Sequence, residues 1–247
     1  MIHSDHIHTH APRVLIVIPA YNEEASIVNV VNSIKAAGYD YVVINDGSKD
    51  STLEKCINNN INVLDLPRNL GIGGAVQAGH KYALYHGYDI DIQVDGDGQH
   101  DISYIPNLIE KIEDGADLVV GSRFLSRTSG FQSTFLRRIG IKWLSGLIRI
   151  LYKQTITDPT SGFRACGRKA LELFSTTYPI DYPEPESIAE AFNNGLIITE
   201  TSVNMNERSG GTSSIKALSG IYYMIKVSLA IIICSIERTP LKLRMHI

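Results

Sequence analysis

Short apolar runs alternate along the chain with stretches whose apolar residues recur every three or four positions. Val14-Leu15-Ile16-Val17-Ile18 is an unbroken apolar run, the pattern of a strand covered on both faces. Tyr41 to Ile44, Ile61 to Leu66, Ile90 to Val94, Leu118 to Gly121 and Ile197 to Val203 read as further strands. Between them, a helix over Ala25 to Ala37 ends at Gly38, and Asp50-Ser51 opens a second. The glycine-rich Asn69-Leu70-Gly71-Ile72-Gly73-Gly74 leads into a third, reaching His86, and Pro106 to Glu113 forms a fourth. Strand and helix alternate with short links, which predicts an α/β fold with a mainly parallel sheet and flanking helices.

Three later stretches break this rhythm. In Thr134 to Lys153, Arg138, Lys142, Ser145, Arg149 and Lys153 recur along one helical face. Leu136, Ile139, Trp143, Leu144, Leu147, Ile150 and Leu151 fill the opposite one. With Arg137 the segment holds five basic residues and no acid. A basic amphipathic helix with a Trp is drawn to an anionic membrane surface; the competing reading is a core-packing helix with a solvated basic face. Residues Tyr178 to Glu186 carry three prolines and three acids and are expected to form a rigid surface loop. Leu218 to Ile236 is almost wholly apolar, with Lys226 its only charge. As a helix it would reach roughly 28 Å, close to bilayer thickness. It spans, lies in the interface, packs on a partner helix or joins a core.

Bulk properties narrow the classes. The 247 residues suffice for one large domain, or one with an appendage. Composition is ordinary for a globular chain, with 44% hydrophobic and 20% charged residues. A net charge of −3 argues against a dedicated nucleic-acid binder. Cys56, Cys166 and Cys234 make neither a disulfide framework nor a zinc pattern, so a reducing setting is expected. The N-terminal residues lack an apolar signal core behind basic residues, and His3, His6, His8 and His10 are read as a polar tail without assigned function.

The chemistry gathers where strands end. In sheets of this kind ligands sit beyond the carboxyl ends of the strands. Tyr21 and Glu23, Asp46, Asp95/Asp97/Gln99, and Ser122/Arg123 each follow a strand, and their convergence on one edge predicts a single nucleotide site. Asp95-Gly96-Asp97-Gly98-Gln99-His100 organises it. Two carboxylates one residue apart repel unless a cation lies between them, and hard oxygen donors suit Mg²⁺ or Mn²⁺ beside phosphates. Gly71, Gly73 and Gly74 do not complete a dinucleotide fingerprint, which disfavours a nucleotide-dependent oxidoreductase. Thr157 to Arg164 is a turn-rich loop of functional character. Asn206 to Ser213 has the composition of a loop that closes over a phosphate, with Arg208 its one basic group.

Pro19-Ala20-Tyr21-Asn22-Glu23, Asp46-Gly47-Ser48, Asn69-X-Gly71, Asp95-X-Asp97-X-Gln99, Gly121-Ser122-Arg123-Phe124 and Ser161-Gly162-Phe163-Arg164 occur in this order. The set resembles the GT-A-fold, inverting family-two glycosyltransferases, within them the dolichol-phosphate mannose synthase and polyprenyl-phosphate glycosyltransferase branch. The resemblance implies a GT-A (nucleotide-diphospho-sugar transferase), Rossmann-like sheet from about Val14 to Ile236. It divides the chain into a tail over 1–12, a catalytic domain over 13–214 containing the interfacial helix 134–153, and a membrane-associated segment over 215–247.

The resemblance also implies roles. Pro19, Tyr21, Glu23, Ile44, Asp46, Asp95 and Gly96 would hold the nucleotide, and Asp95, Asp97 and Gln99 the Mg²⁺ or Mn²⁺. Arg123 and Arg137 would hold the acceptor phosphate, and Arg208 the donor diphosphate; these three and Asp97 are the implied catalytic group. The reaction would move a sugar from a nucleotide-sugar donor, with a UDP-sugar preferred, to a polyprenyl phosphate for cell-envelope glycans. Its place would be the cytoplasmic face of the membrane, peripheral or anchored by one segment, with a small membrane partner or a second copy as partner protein. Asn45 stands where many relatives carry Asp, and Tyr182-Pro183-Glu184-Pro185-Glu186 departs from the mannose synthase pattern. Two alternatives stand beside this reading. One is transfer to a sugar hydroxyl, for which Asp158, Glu184 or Glu186 is the candidate general base; the other is an inactive nucleotide-binding membrane scaffold.

Overall fold

The structure, a computed structural model, describes residues 11–125, 135–206 and 217–236. Seven strands and eight helices follow in the order β1 (Val14–Ala20), α1 (Ile27–Ala36), β2 (Asp40–Asn45), α2 (Thr52–Asn58), β3 (Val63–Asp65), α3 (Gly71–Tyr85), β4 (Ile90–Gln93), α4 (Ile105–Glu113), β5 (Leu118–Ser122), α5 (Phe135–Tyr152), β6 (Arg164–Cys166), α6 (Arg168–Thr176), α7 (Pro183–Asn193), β7 (Ile198–Ser202) and α8 (Ala217–Ile236). One sheet holds all seven strands in the order β3-β2-β1-β4-β6-β5-β7. β6 runs antiparallel to both β4 and β5, and the remaining neighbour pairs are parallel. The carboxyl ends of β1, β2, β4 and β5 therefore share one edge, as the alternation predicts.

Period-two alternation sends each strand's side chains to two opposite cores. Ile16, Ile18 and Ile92 pack with Ile27, Val31, Ile34, Ile105 and Leu108 on the α1/α4 side. Leu15, Val17 and Val42 pack with Ala75, Val76, Leu171 and Phe174 on the α3/α6 side. α3 lies hard against the sheet and its surroundings. A Cβ on Gly73 would fall 2.1 Å from the Pro179 carbonyl oxygen, so only glycine fits there.

Three expectations change. β6 was hidden inside a turn-rich loop, because three residues are too few to display an alternation. Tyr178 to Glu186 is not a surface loop throughout: Pro183 and Pro185 are buried in the first turn of α7, where proline's missing N–H costs no helical bond. In α5 the inward residues are Ile141, Leu144 and Ile148, while Ile139, Trp143 and Ile150, assigned to the apolar face, are exposed. A third core explains the shift. Leu144 and Ile148 pack with Val120, Ile188 and, from α8, Val227 and Ile231, so α5 meets two elements at once. The Asn193 amide donates to the Cys234 carbonyl at 2.6 Å, tying α8 to α7. Among the described residues, no helix is long and apolar enough to cross a membrane, so a spanning role for Leu218 to Ile236 is not supported.

Candidate active site

The end of β2 is held by backbone bonds. The Asp46 N–H donates to the Ala20 carbonyl at 2.9 Å, and Asn69 Nδ2 donates to the Asp46 carbonyl at 3.0 Å. Asp46 Oδ1 accepts from the Leu70 N–H at 2.7 Å. Gly47 turns the chain with φ +63°, and a Cβ there would meet the Asn69 nitrogen at 2.7 Å. Burial raises the Asp46 pKa, with the Leu70 and Gly71 amides pulling against it. Pro19 and Ile44 are cross-strand partners and buried beside this turn. Tyr21 is exposed, and Glu23 accepts from the Ser26 hydroxyl at 3.0 Å.

The acidic turn after β4 packs against the same place. A Cβ on Gly96 would lie 3.2 Å from the Pro19 carbonyl oxygen and 3.4 Å from Glu23 Cγ. Asp97 is buried, and its Oδ1 accepts from the Gln99 N–H at 2.9 Å, closing an Asx turn. Asp95 stays open, its side chain 37% exposed, with Oδ1 accepting from Gln93 Nε2 at 3.2 Å. Across from it, Gly162 would place a Cβ 3.4 and 3.5 Å from the two Asp95 carboxylate oxygens, so the 158–163 loop walls that side. Two carboxylates and an amide on one turn, one carboxylate open, offer hard oxygen donors of the kind that Mg²⁺ or Mn²⁺ takes.

Among the described residues, His80, Asp91 and Cys166 bring metal-capable atoms together, all buried between α3, β4 and β6. His80 Nδ1 and Asp91 Oδ2 are 2.6 Å apart. Two ligands of one tetrahedral cation stand roughly 3.3 Å apart, so this spacing is a hydrogen bond rather than a ligand edge. Burial also pushes the Cys166 thiol well up, which keeps its proton on. The triad is a polar bond inside the core.

On the β5 side the anchoring is ionic. Arg123 Nε and Nη2 donate to Asp158 Oδ2 and Oδ1 at 2.6 and 2.8 Å, both side chains being buried. Thr160 accepts from Nη2 at 3.0 Å. Asp158 is held in turn by β7, its N–H donating to Glu200 Oε1 at 2.9 Å. Arg164 gathers three segments, donating to the Ser161 and Pro159 carbonyls at 2.7 and 3.0 Å and to the Ser187 hydroxyl at 2.7 Å.

Ser187 follows Glu184 by three residues on α7. Burial raises the Glu184 pKa; the Arg164 and Arg123 charges oppose this, and the Asp95 charge adds to it. Glu186 is raised by burial as well, but its charged neighbours include Asp181 and Lys226, toward α8. Arg137 keeps an exposed face, yet surrounding protein and the Arg123 guanidinium lower its pKa.

Thus Asp46, Pro19, Glu23 and Gly96 meet at one end of the edge, Asp95, Asp97 and Gln99 in the middle, and Arg123, Arg137, Asp158 and Glu184 beyond. Arg208 lies outside the described residues. His100, Arg164, Ser187 and Glu200 were assigned no role from sequence. Arg164 sits in a quoted motif, but nothing in a linear pattern shows which carbonyls a guanidinium will collect.

Comparison with known proteins agrees with this geometry. The chain is 28% identical to the polyprenol monophosphomannose synthase of Mycolicibacterium smegmatis over 228 residues, covering 87% of this chain and 86% of that one. It is 35% identical to a UDP-N-acetylglucosamine–dolichyl-phosphate N-acetylglucosaminyltransferase of Methanococcus voltae over 181 residues, 66% of this chain and 72% of the other. In fold it matches glucosyl-3-phosphoglycerate synthase of Mycobacterium tuberculosis, solved with Mn²⁺, UDP-glucose and phosphoglyceric acid. The TM-score is 0.67 at 21% identity, covering 92% of this chain and 80% of that one. Residues 15–174 match the model of glycosyl transferase family 2. With a cradle, an acidic turn and a paired arginine along one GT-A sheet edge, the chain is a glycosyltransferase and belongs to glycosyl transferase family 2.

Proposed function

We propose that the enzyme transfers a sugar from a nucleotide-sugar, UDP-linked by preference, to a polyprenyl phosphate. The observation that carries this reading is Arg123, fixed after β5 by Asp158 with the Arg137 guanidinium acting on the same place, beside the exposed apolar residues of α5 and α8. Guanidiniums grouped in this way suit a phosphate, which takes parallel N–H bonds on its oxygens.

Ile139, Trp143 and Ile150 of α5 and Tyr222, Ile225, Leu229, Ile233 and Ile236 of α8 are exposed. The Trp143 Nε1–H donates to the Ser228 hydroxyl at 3.0 Å, joining the two helices. Exposed Lys142 and Arg149 accompany them. Such a mixed apolar and basic surface suits the cytoplasmic face of an anionic membrane, where a lipid-borne phosphate resides.

In this reading Asp46 and the Pro19–Glu23 turn hold the nucleoside, and Asp95, Asp97 and Gln99 hold Mg²⁺ or Mn²⁺. A divalent cation there supplies positive charge to the departing diphosphate. Arg123, fixed by Asp158, and Arg137 orient the acceptor phosphate for attack on the anomeric carbon. A phosphate monoester has its second pKa near about 6, so its oxygen is already anionic and needs no base.

A second reading, transfer to a sugar hydroxyl, is favoured by one feature. Glu184 lies within reach of the fields of Asp95, Arg164 and Arg123 and has a raised pKa, as a general base would. Asp158, pinned by Arg123, is not in a position to serve.

The test supplies labelled UDP- and GDP-sugars with Mn²⁺ to vesicles containing undecaprenyl phosphate. The expected product is a labelled, mild-acid-labile lipid, together with flotation of the protein on anionic vesicles. Label appearing on sugar hydroxyls and never on lipid would overturn the reading.

A further inference from the structure

We infer that His100 is a positioning residue for the acidic turn, holding Asp95 through its Nδ1 atom. The inference rests on the proposed role of Asp95 as a cation ligand and extends it to a residue that touches neither sugar nor nucleotide. The Asp95 backbone N–H donates to His100 Nδ1 at 3.0 Å. A backbone amide has only a proton to offer, so Nδ1 is the acceptor and the ring proton of the neutral imidazole sits on Nε2. That nitrogen stands 3.5 Å from Asp95 Oδ2. One ring thus grips the residue at its amide, with its other nitrogen 3.5 Å from the carboxylate.

The ring itself is locked. It stacks on Phe163, with centroids 4.8 Å apart and planes inclined by 13°, and its side chain is 1% exposed. Its backbone forms a bridge with Met205, and the Asn206 N–H donates to the Gln99 carbonyl at 2.8 Å. Phe163 adjoins Gly162, the residue that walls the Asp95 carboxylate. His100 therefore transmits the rigid packing of β6 and the chain after β7 to an otherwise half-open carboxylate. Groups behind a ligand that fix its orientation are worth about 10- to 100-fold in metal affinity. The core bond between His80 and Asp91 does no such thing, since it serves no open carboxylate.

Three substitutions separate the nitrogens from the packing. His100→Phe keeps a flat ring against Phe163 and removes both nitrogens. His100→Asn places an amide oxygen near the Nδ1 position, and His100→Gln places an amide nitrogen near Nε2. Two measurements are made on each full-length protein: hydrogen exchange of the Asp95 amide without metal, and Mn²⁺ affinity by calorimetry in the presence of UDP. The Asp95 amide should be protected in the native protein and in His100→Asn, and exchange fast in His100→Phe and His100→Gln. Mn²⁺ should bind about 10- to 100-fold more weakly to His100→Phe, with most of that restored in His100→Asn.

A protected Asp95 amide in His100→Phe, or His100→Asn no better than His100→Gln, would overturn the inference. If His100→Phe does not fold, the Asn and Gln pair decides alone. Absence of Mn²⁺-dependent UDP binding by the native protein, with amide protection as expected, would instead sink the cation role assigned to Asp95.

Discussion

The two halves of the site edge are built differently. On the β1–β2–β4 side, Asp46 and Asp97 are fixed by backbone amides, Asp46 by Leu70 in the chain after β3 and Asp97 by Gln99 in its own turn. On the β5–β7 side, Arg123, Asp158, Arg164 and Ser187 are fixed by one another across loops far apart in sequence. The first half is joined through backbone groups of neighbouring strand ends, Ala20 at the end of β1, Asp46 after β2 and Leu70 after β3. The second depends on α5, α7 and α8 being docked, and it borders the exposed apolar surface.

The largest effect expected is on the chemistry. Asp97→Asn keeps the oxygen that caps Gln99 and removes the charge, so transfer should fall at least about a hundredfold with the unfolding curve unmoved. Full activity in that variant would favour the scaffold alternative or a cation held elsewhere. Next, Asp158→Ala strands a buried Arg123 and should cost about 3–5 kcal/mol in urea denaturation. Adding Arg123→Met should recover much of that stability without recovering transfer, which separates the fold role of the pair from its phosphate role.

Gly73→Ala tests the seam between the halves, because its new methyl meets the Pro179 carbonyl just before α7. About 1–3 kcal/mol of lost stability is expected by thermal melting. No loss would mean the two halves shift past each other freely.

The smallest effect is a slope. Glu184 in the folded state holds its proton to higher pH than the ordinary value of 4.5, because burial disfavours the charge. Between those two pKa values the folded form binds more protons than the unfolded form, so stability falls as pH rises. Compared with Glu184→Gln, the native protein should therefore gain stability as pH falls from neutral toward 4.5, by urea unfolding at each pH. A flat difference would place Glu184 in open solvent and weaken the hydroxyl-acceptor reading.

Much of the β1–β2–β4 half is legible in the sequence because its strands and the turns that end them have local causes. A run such as Val14 to Ile18 announces a buried strand, and Asp46-Gly47 or Asp95-Gly96-Asp97 announces the turn that ends one. The β5–β7 half is legible in kind but not in detail. Arg123 and Asp158 are 35 residues apart, and no spacing rule pairs them. In α5, the helical period was visible, but which residues turn inward was decided by two neighbours, α7 and α8, which drew in Ile141, Leu144 and Ile148.

Sequence alone determined the alternating α/β order, the strand ends that carry acids, and the family resemblance, since each depends on residues within a few positions of one another. Tertiary structure alone decided that Asp158 serves Arg123, that Pro183 and Pro185 begin a helix, that α8 shares a core with α5, and that His100 stands behind Asp95. Those outcomes depend on which surfaces meet once the chain has closed on itself, and an ion pair or a stacked ring has no signature until its partner arrives.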